Sequence, residues 1–302
     1  MFVGTTVAVL VICGLFAYRL SQPFREEVDD LYYSTYANVV VDPVMTTIAD
    51  RITNVAYCGT TNLQQMLDVY TPKQNESAQP TVIYIHGGGW SSGNKANSLV
   101  TDYGAEIVKG GLSFVSINYR LAPAYRYPAQ NQDVNCAIRY LVQHAASLHI
   151  NMDKVGLFGD SAGAELAAMT ALTSPDKARI KAVVELYGPS DIWAQITRKP
   201  RADQWAINYI GNANNQALAQ EASPLYANLA GAPPFLLFHG INDQTVHYDQ
   251  SVNFSHMLQR AGVHVTLVPV TNANHSFGAS SMPNRNAIES QTVQFFTTHL
   301  KP

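Results

Sequence analysis

Gly159-Asp160-Ser161-Ala162-Gly163 follows a short apolar, β-prone run at 154–158 (KVGLF) and precedes strong helix formers from Ala162 onward (AGAELAAMTAL). The pentapeptide fits G-x-S-x-G at a strand-to-helix corner. Such a turn strains the backbone and thrusts the serine hydroxyl out above a sheet. Glycine is expected at 159 and 163 because side chains there would collide as strand and helix close on each other. Upstream, His86-Gly87-Gly88-Gly89-Trp90 also follows an apolar run, 81–85 (TVIYI). A loop of this kind offers backbone N–H groups to an oxyanion, together with the N–H of the residue after the serine, here Ala162. The two motifs in this order point to acyl transfer by a serine nucleophile, Ser161.

A serine of this kind needs a base and an acid, each on a loop leaving a strand, in the chain order serine, acid, histidine. Residues 235–239 (FLLFH) read as a buried strand, and Asp243 sits on the loop that follows. Residues 265–270 (VTLVPV) read as the next strand, and His275 lies on the loop after it. His275 fits as base, with its second ring nitrogen oriented by Asp243. Asp243 also reads as a turn residue, since Asn-Asp is a common turn pair. Asp249 is the nearest substitute for it but reads better as the start of a helix over 250–261. His239 and His247 lie too near the acid loop to replace His275, and His264 starts a strand rather than following one.

Strands alternate with helices through the rest of the chain. Strands are expected at 112–118 and 182–186, and helices at 132–144, 162–172 and 284–299. That alternation predicts an α/β fold with a mostly parallel central sheet and helices on both faces. Composition shows no break after about position 50, so one catalytic domain over 51–302 is the expected organisation. Between 191 and 226 the alternation lapses, and Trp193, Trp205, Tyr209 and Tyr226 are scattered among polar residues. This excursion reads equally as a surface loop or as part of a lid or pocket wall.

From about position 55 to the C-terminus the chain resembles the α/β-hydrolase esterases. HGGGW, Tyr119-Arg120-Leu121-Ala122-Pro123 and GDSAG resemble the hormone-sensitive-lipase-like carboxylesterases. Leu67-Asp68-Val69-Tyr70-Thr71-Pro72, Pro128-Ala129-Gln130 leading to Asp133, and an acid loop of the form HGxxDxxV resemble the acetyl-xylan/feruloyl esterase-like branch, BD-FAE. The second set is favoured. Where the lipase-like group usually has GDSAGGN, this chain has GDSAGAE, with Ala164 and Glu165. The resemblance implies Ser161 as nucleophile, Asp243 as acid, His275 as base, and the amides of Gly88, Gly89 and Ala162 as oxyanion donors. It implies a small-molecule ester as substrate, with short acyl chains preferred, and no cofactor. Asp160, Arg120 and Asp133 are expected to serve structure, the last two by tying the region behind HGGGW. An amidase such as an arylformamidase, or a peptidase, would use the same residues. A non-catalytic binding protein on this scaffold is opposed by the full Ser–Asp–His set.

A formal charge of −3 without a basic stripe weighs against nucleic acid. No His/Cys/carboxylate cluster has metal-ligand spacing, and HGGGW lacks the Lys-Ser/Thr of a phosphate-binding loop. Of the three cysteines, Cys13, Cys58 and Cys136, the last two are spaced so that pairing stays open. Residues 2–18 form an uncharged apolar run, marginal in length for a membrane span. Residues 1–20 are therefore expected to be a signal-anchor or signal segment giving membrane association, with 21–50 as a juxtamembrane spacer. Arg19 and Arg25 favour a cytoplasmic side by the positive-inside rule. Resemblance to exported relatives favours an extracytoplasmic catalytic domain, and that is the expectation retained.

Overall fold

The computed structural model describes residues 43–301 except 74–76, 199–202 and 278–281. Eight strands form one sheet: β1 Ala49–Ala56, β2 Met66–Pro72, β3 Gln79–Ile85, β4 Ser113–Ile117, β5 Ile150–Asp160, β6 Ile180–Leu186, β7 Phe235–Gly240 and β8 Val265–Val270. Their spatial order is β1-β2-β4-β3-β5-β6-β7-β8. β1 and β2 pair antiparallel, as do β2 and β4, and every neighbour from β4 onward is parallel. The parallel strands read as unbroken apolar runs because both faces are covered; SFVSI of β4 and FLLFHG of β7 are buried at every position.

Nine helices are described: α1 Pro43–Ile48, α2 Ala105–Lys109, α3 Ala129–His144, α4 Ala162–Thr173, α5 Ile192–Thr197, α6 Gln204–Ile210, α7 Gln216–Glu221, α8 Asp249–Arg260 and α9 Met282–Leu300. One face of the sheet gathers Val82, Tyr84, Phe114, Phe158 and Val184 with Ile107 of α2 and Phe296 and Leu300 of α9. The period of two places the equally buried Ile83, Ile85, Leu157 and Val183 on the other face. There α4 packs on β3, β5 and β6. Residues 162–172 of α4 are buried without exception, so this helix is covered all round and, Glu165 and Thr170 apart, apolar rather than amphipathic.

The expected strands and helices all form, with edges moved by local pairing. β5 starts at Ile150, four residues before the KVGLF run, because Ile150 pairs with Gln79 and Asn151 with Pro80. α3 starts directly after Pro128, which occupies its N-cap position. The compact unit begins at Asp42. The end of the stretch read as a spacer therefore belongs to the domain: α1 covers Pro43–Ile48, and Ala49 and Asp50 pair with Pro72 and Thr71. The expected segment at 1–20, and Cys13 in it, lie outside the described residues. Among the described residues, no helix is long and apolar enough to cross a membrane.

Cys58 and Cys136 are joined as a disulfide, with Cα atoms 5.7 Å apart across 78 residues of sequence. The bond ties the turn between β1 and β2 to α3. The 191–226 excursion folds into α5, α6, α7 and a 3₁₀ turn at Pro224–Tyr226. Three of its polar residues are helix caps: Asp191, Asp203 and Asn215 each accept from backbone N–H groups of the first turn that follows.

Candidate active site

β5 delivers Ser161 to the C-terminal edge of the sheet, and α4 begins at the next residue. Ser161 sits at φ 51°, ψ −119°, a backbone conformation that costs an L-residue energy and persists only where neighbours hold it. A Cβ on Gly159 would lie 2.2 Å from the carbonyl oxygen of Gly163, and one on Gly163 would lie 2.0 Å from that of Ile85. Both glycines are required by close approach, as the pentapeptide implied.

β7 and β8 bring the other two side chains to the same edge. His275 Nε2 is 3.0 Å from Ser161 Oγ, and His275 Nδ1 is 2.7 Å from Asp243 Oδ2. The carboxylate only accepts, so Nδ1 carries the proton and Nε2 is left to accept from the serine hydroxyl. Asp243 is buried, and its Oδ1 accepts from the N–H groups of Thr245 and Val246 at 2.8 and 3.0 Å. Burial alone would raise its pKa; hydrogen bonds from His239 and His275 prevail and hold it well below the usual carboxylate range. Asp249, the alternative acid, is the first residue of α8. The Tyr187 and His275 rings meet edge to face, with centroids 4.7 Å apart and planes inclined by 63°.

The glycine loop leaves β3 beside this line. Gly87 N–H donates to Asp160 Oδ1 at 2.8 Å, and Tyr84 O–H donates to the same oxygen at 2.6 Å. The residue before the serine is thereby a strut for the glycine loop, in the structural role read for it. Burial pushes the Asp160 carboxyl up, and these hydrogen bonds oppose the rise. Gly88 and Gly89 have φ of 117° and 59°. Among the described residues, no backbone carbonyl takes up the N–H of either. Ala162 opens α4, where the first N–H groups have no partner within the helix. Behind the loop, Arg120 grips Asp133 through Nε at 3.0 and 2.9 Å and through Nη2 at 2.7 Å, the fork expected of an Arg–carboxylate tie.

Three residues that the sequence reading named without a defined role stand at the site. Trp205 of α6 lies on Gly89, its ring atoms 2.7 and 2.8 Å from where a Cβ at 89 would sit. His239 Nε2 is 3.3 Å from Asp243 Oδ2. Glu165 is fully buried on α4 and accepts from the indole of Trp90. A lone charge inside an otherwise apolar helix was the available signal for Glu165; Trp205 was named only as part of an excursion read equally as surface loop or pocket wall. Among the described residues, no group of three His, Cys, Asp or Glu side chains is arranged to hold a metal ion.

This sheet, with helices on both faces and a serine turn at its C-terminal edge, defines an α/β-hydrolase fold of the esterase kind. The chain belongs to the BD-FAE family, whose profile matches residues 67–258. The match takes in HGGGW, GDSAG and Asp243 and ends before His275. Carboxylesterase NlhH of Mycobacterium tuberculosis is 29% identical over 230 residues, covering 70% of each chain. Ethyl acetate hydrolase of Pseudomonas putida is 27% identical over 231 residues, covering 69% of this chain and 70% of that one. A solved truncated carbohydrate esterase from gut microbiota superposes with a TM-score of 0.75 at 27% identity, covering 83% of this chain and 96% of that one. The chain spans 50–60% of the length of several other curated relatives it matches.

Proposed function

We propose that the protein is a serine carboxylesterase acting on short-chain acyl esters, with Ser161, His275 and Asp243 as its triad. The observation that carries this reading is the hydrogen-bonded line Ser161 Oγ–His275 Nε2 at 3.0 Å and His275 Nδ1–Asp243 Oδ2 at 2.7 Å. Ser161 Oγ attacks the acyl carbonyl carbon as His275 Nε2 takes its proton, and Asp243 keeps the imidazolium oriented. The carbonyl oxygen becomes an oxyanion that accepts from the N–H groups of Gly88, Gly89 and Ala162. His275 returns the proton to the departing alcohol. Water then repeats the sequence on the acyl-enzyme and frees the acid.

The preference for short acyl chains is supported by the excursion at 191–226, which is polar along much of its length and folds as three short capped helices. Its Trp205, half exposed, lies over the glycine loop. The activity in the name of the Pseudomonas putida relative, ethyl acetate hydrolysis, points the same way. The proposal extends to location: a membrane-associated enzyme with its catalytic domain outside the cytoplasm. The Cys58–Cys136 bond supports it, because disulfides persist in oxidising compartments.

p-Nitrophenyl esters of graded chain length, set against matching anilides, test the reading. Acetate to butyrate esters should exceed decanoate in kcat/KM, and anilides should be poor. Ser161→Ala should lower kcat by several orders of magnitude with the fold intact. A fluorophosphonate label on another residue would sink the assignment, and faster anilide turnover would make the protein an amidase.

A further inference from the structure

Helix α4 carries one charged residue, Glu165, and that side chain is fully buried. A carboxyl group removed from water is costly unless partners replace the water. Glu165 Oε2 accepts a 2.8 Å hydrogen bond from Nε1 of Trp90, the residue that closes the glycine loop. The hydroxyl of Tyr209 lies 3.4 Å from the same oxygen and 3.0 Å from Asn131 Oδ1, so its one proton is shared between the two acceptors. Trp90 and Tyr209 stack face to face, with centroids 4.3 Å apart and planes inclined by 1°. Tyr209 stands one turn beyond Trp205 on α6, and Trp205 covers Gly89. One carboxylate therefore connects the nucleophile helix, the glycine loop and the helix above that loop.

The connection does not look like space filling. Among the described residues no cation pairs with Glu165, and its Oε1 is buried without a hydrogen-bond partner. Burial drives its carboxyl upward, and the like charge of Glu185 adds to the rise. A leucine of similar volume would fill the same space without these costs. What leucine cannot do is hold the Trp90 indole, and Trp90 is fixed at φ 56°, directly after Gly89. A donor serves an oxyanion only within a few tenths of an ångström of its proper place.

We infer that Glu165 is a positioning residue, which through Trp90 and Tyr209 fixes the aim of the Gly88 and Gly89 amides relative to Ser161. The inference rests on the esterase reading given above. It assigns a task to the second of the two positions, 164 and 165, at which GDSAGAE departs from GDSAGGN.

The test compares Glu165→Leu with Glu165→Gln in the full chain. The measurements are kcat and KM on p-nitrophenyl butyrate and Ki for a trifluoromethyl ketone, whose adduct on serine places an oxyanion against the same donors. Glu165→Leu should lower kcat about 100-fold, leave KM within about twofold, and weaken the ketone by the factor lost in kcat/KM. Glu165→Gln keeps an acceptor for Trp90 and should stay within about threefold of the parent in all three. Parental kcat and Ki in Glu165→Leu would overturn the inference, whatever the melting temperature. Equal losses in both variants would overturn it too. Should Glu165→Leu not fold, Trp90→Phe removes the donor while keeping an aromatic ring against Tyr209. It should lose kcat and ketone affinity together, and parental values would overturn the inference. An active chain indifferent to these changes removes this inference alone. A chain that turns over no ester and takes no fluorophosphonate removes the functional reading, and the inference with it.

Discussion

His239 and Asp243 face each other across one tight turn, with Nε2 of the first 3.3 Å from Oδ2 of the second. His239 is fully buried, and its Nδ1 lies 2.7 Å from the Ser251 hydroxyl. Its Nε2 also lies 2.9 Å from the Val246 carbonyl, so both neighbours of Nε2 are acceptors and that nitrogen carries the proton. The acid therefore has a donor on each side, His239 from within the domain and His275 from the site.

That arrangement makes Asp243 the residue to remove. Asp243→Asn should lower kcat by up to about 10⁴ through loss of His275 orientation, while Asp249→Asn stays near parental activity. Steady-state kinetics on the two purified variants, with circular dichroism to check folding, decides between them. Because Asp243 is held below its ordinary pKa of 3.8, the stability it contributes is fully present above that value and is lost progressively as pH falls from there through its lower folded-state pKa.

Glu185, on β6, is buried and carries an Oε1 without a hydrogen-bond partner. Burial pushes its carboxyl from the ordinary 4.5 up to about 8. Between those values the folded state keeps a proton that the unfolded state has lost, so stability falls as pH rises through that window. Glu185→Gln removes the cost. Its gain in melting temperature over the parent should be large at pH 8.5 and small at pH 5. A gain equal at both pH values would refute this account.

The Cys58–Cys136 bond closes a long loop, and its loss should cost about 2–4 kcal/mol. Cys136→Ser should therefore melt roughly 5–12 °C below the parent. The parent under reducing conditions should melt with the variant, and kcat at 25 °C should be unchanged. Calorimetry with and without dithiothreitol measures both effects.

Deletion of residues 1–20 should turn a membrane-pelleting protein into a soluble one with the same kcat. The apolar run at 2–18 would rise about 25 Å as a helix, slightly under a hydrocarbon core of about 30 Å. High-speed centrifugation of the full-length and shortened proteins tests this, and a full-length protein that stays in the supernatant removes the anchor.

The strand-to-helix corner, the glycine loop and the loops after two late strands were all legible in the sequence. Each is written in a short contiguous stretch where an apolar run meets glycine or a polar turn. The antiparallel start of the sheet was not legible, since Ala49–Ala56 alternates too weakly to declare a partner. The 191–226 helices are six or seven residues long, too short for a periodic pattern to accumulate, although their capping Asp and Asn residues were in plain view. Trp205 over Gly89 and Trp90 on Glu165 join residues more than seventy positions apart. Only packing brings such pairs together, and a single sequence carries no local trace of them.

Ser161 and His275 are 114 residues apart, one following β5 and the other following the last strand of the sheet. A chain emerging from the ribosome thus completes its serine corner and glycine loop long before its histidine exists. Closing so wide a separation comes late, because chain entropy opposes it until the intervening strands are in register. If His275 is the base as proposed, the serine gains its proton acceptor only when β8 docks. Under the proposed triad, catalytic onset would work as a timer: the first turnover would signal that the final edge of the sheet has been laid down.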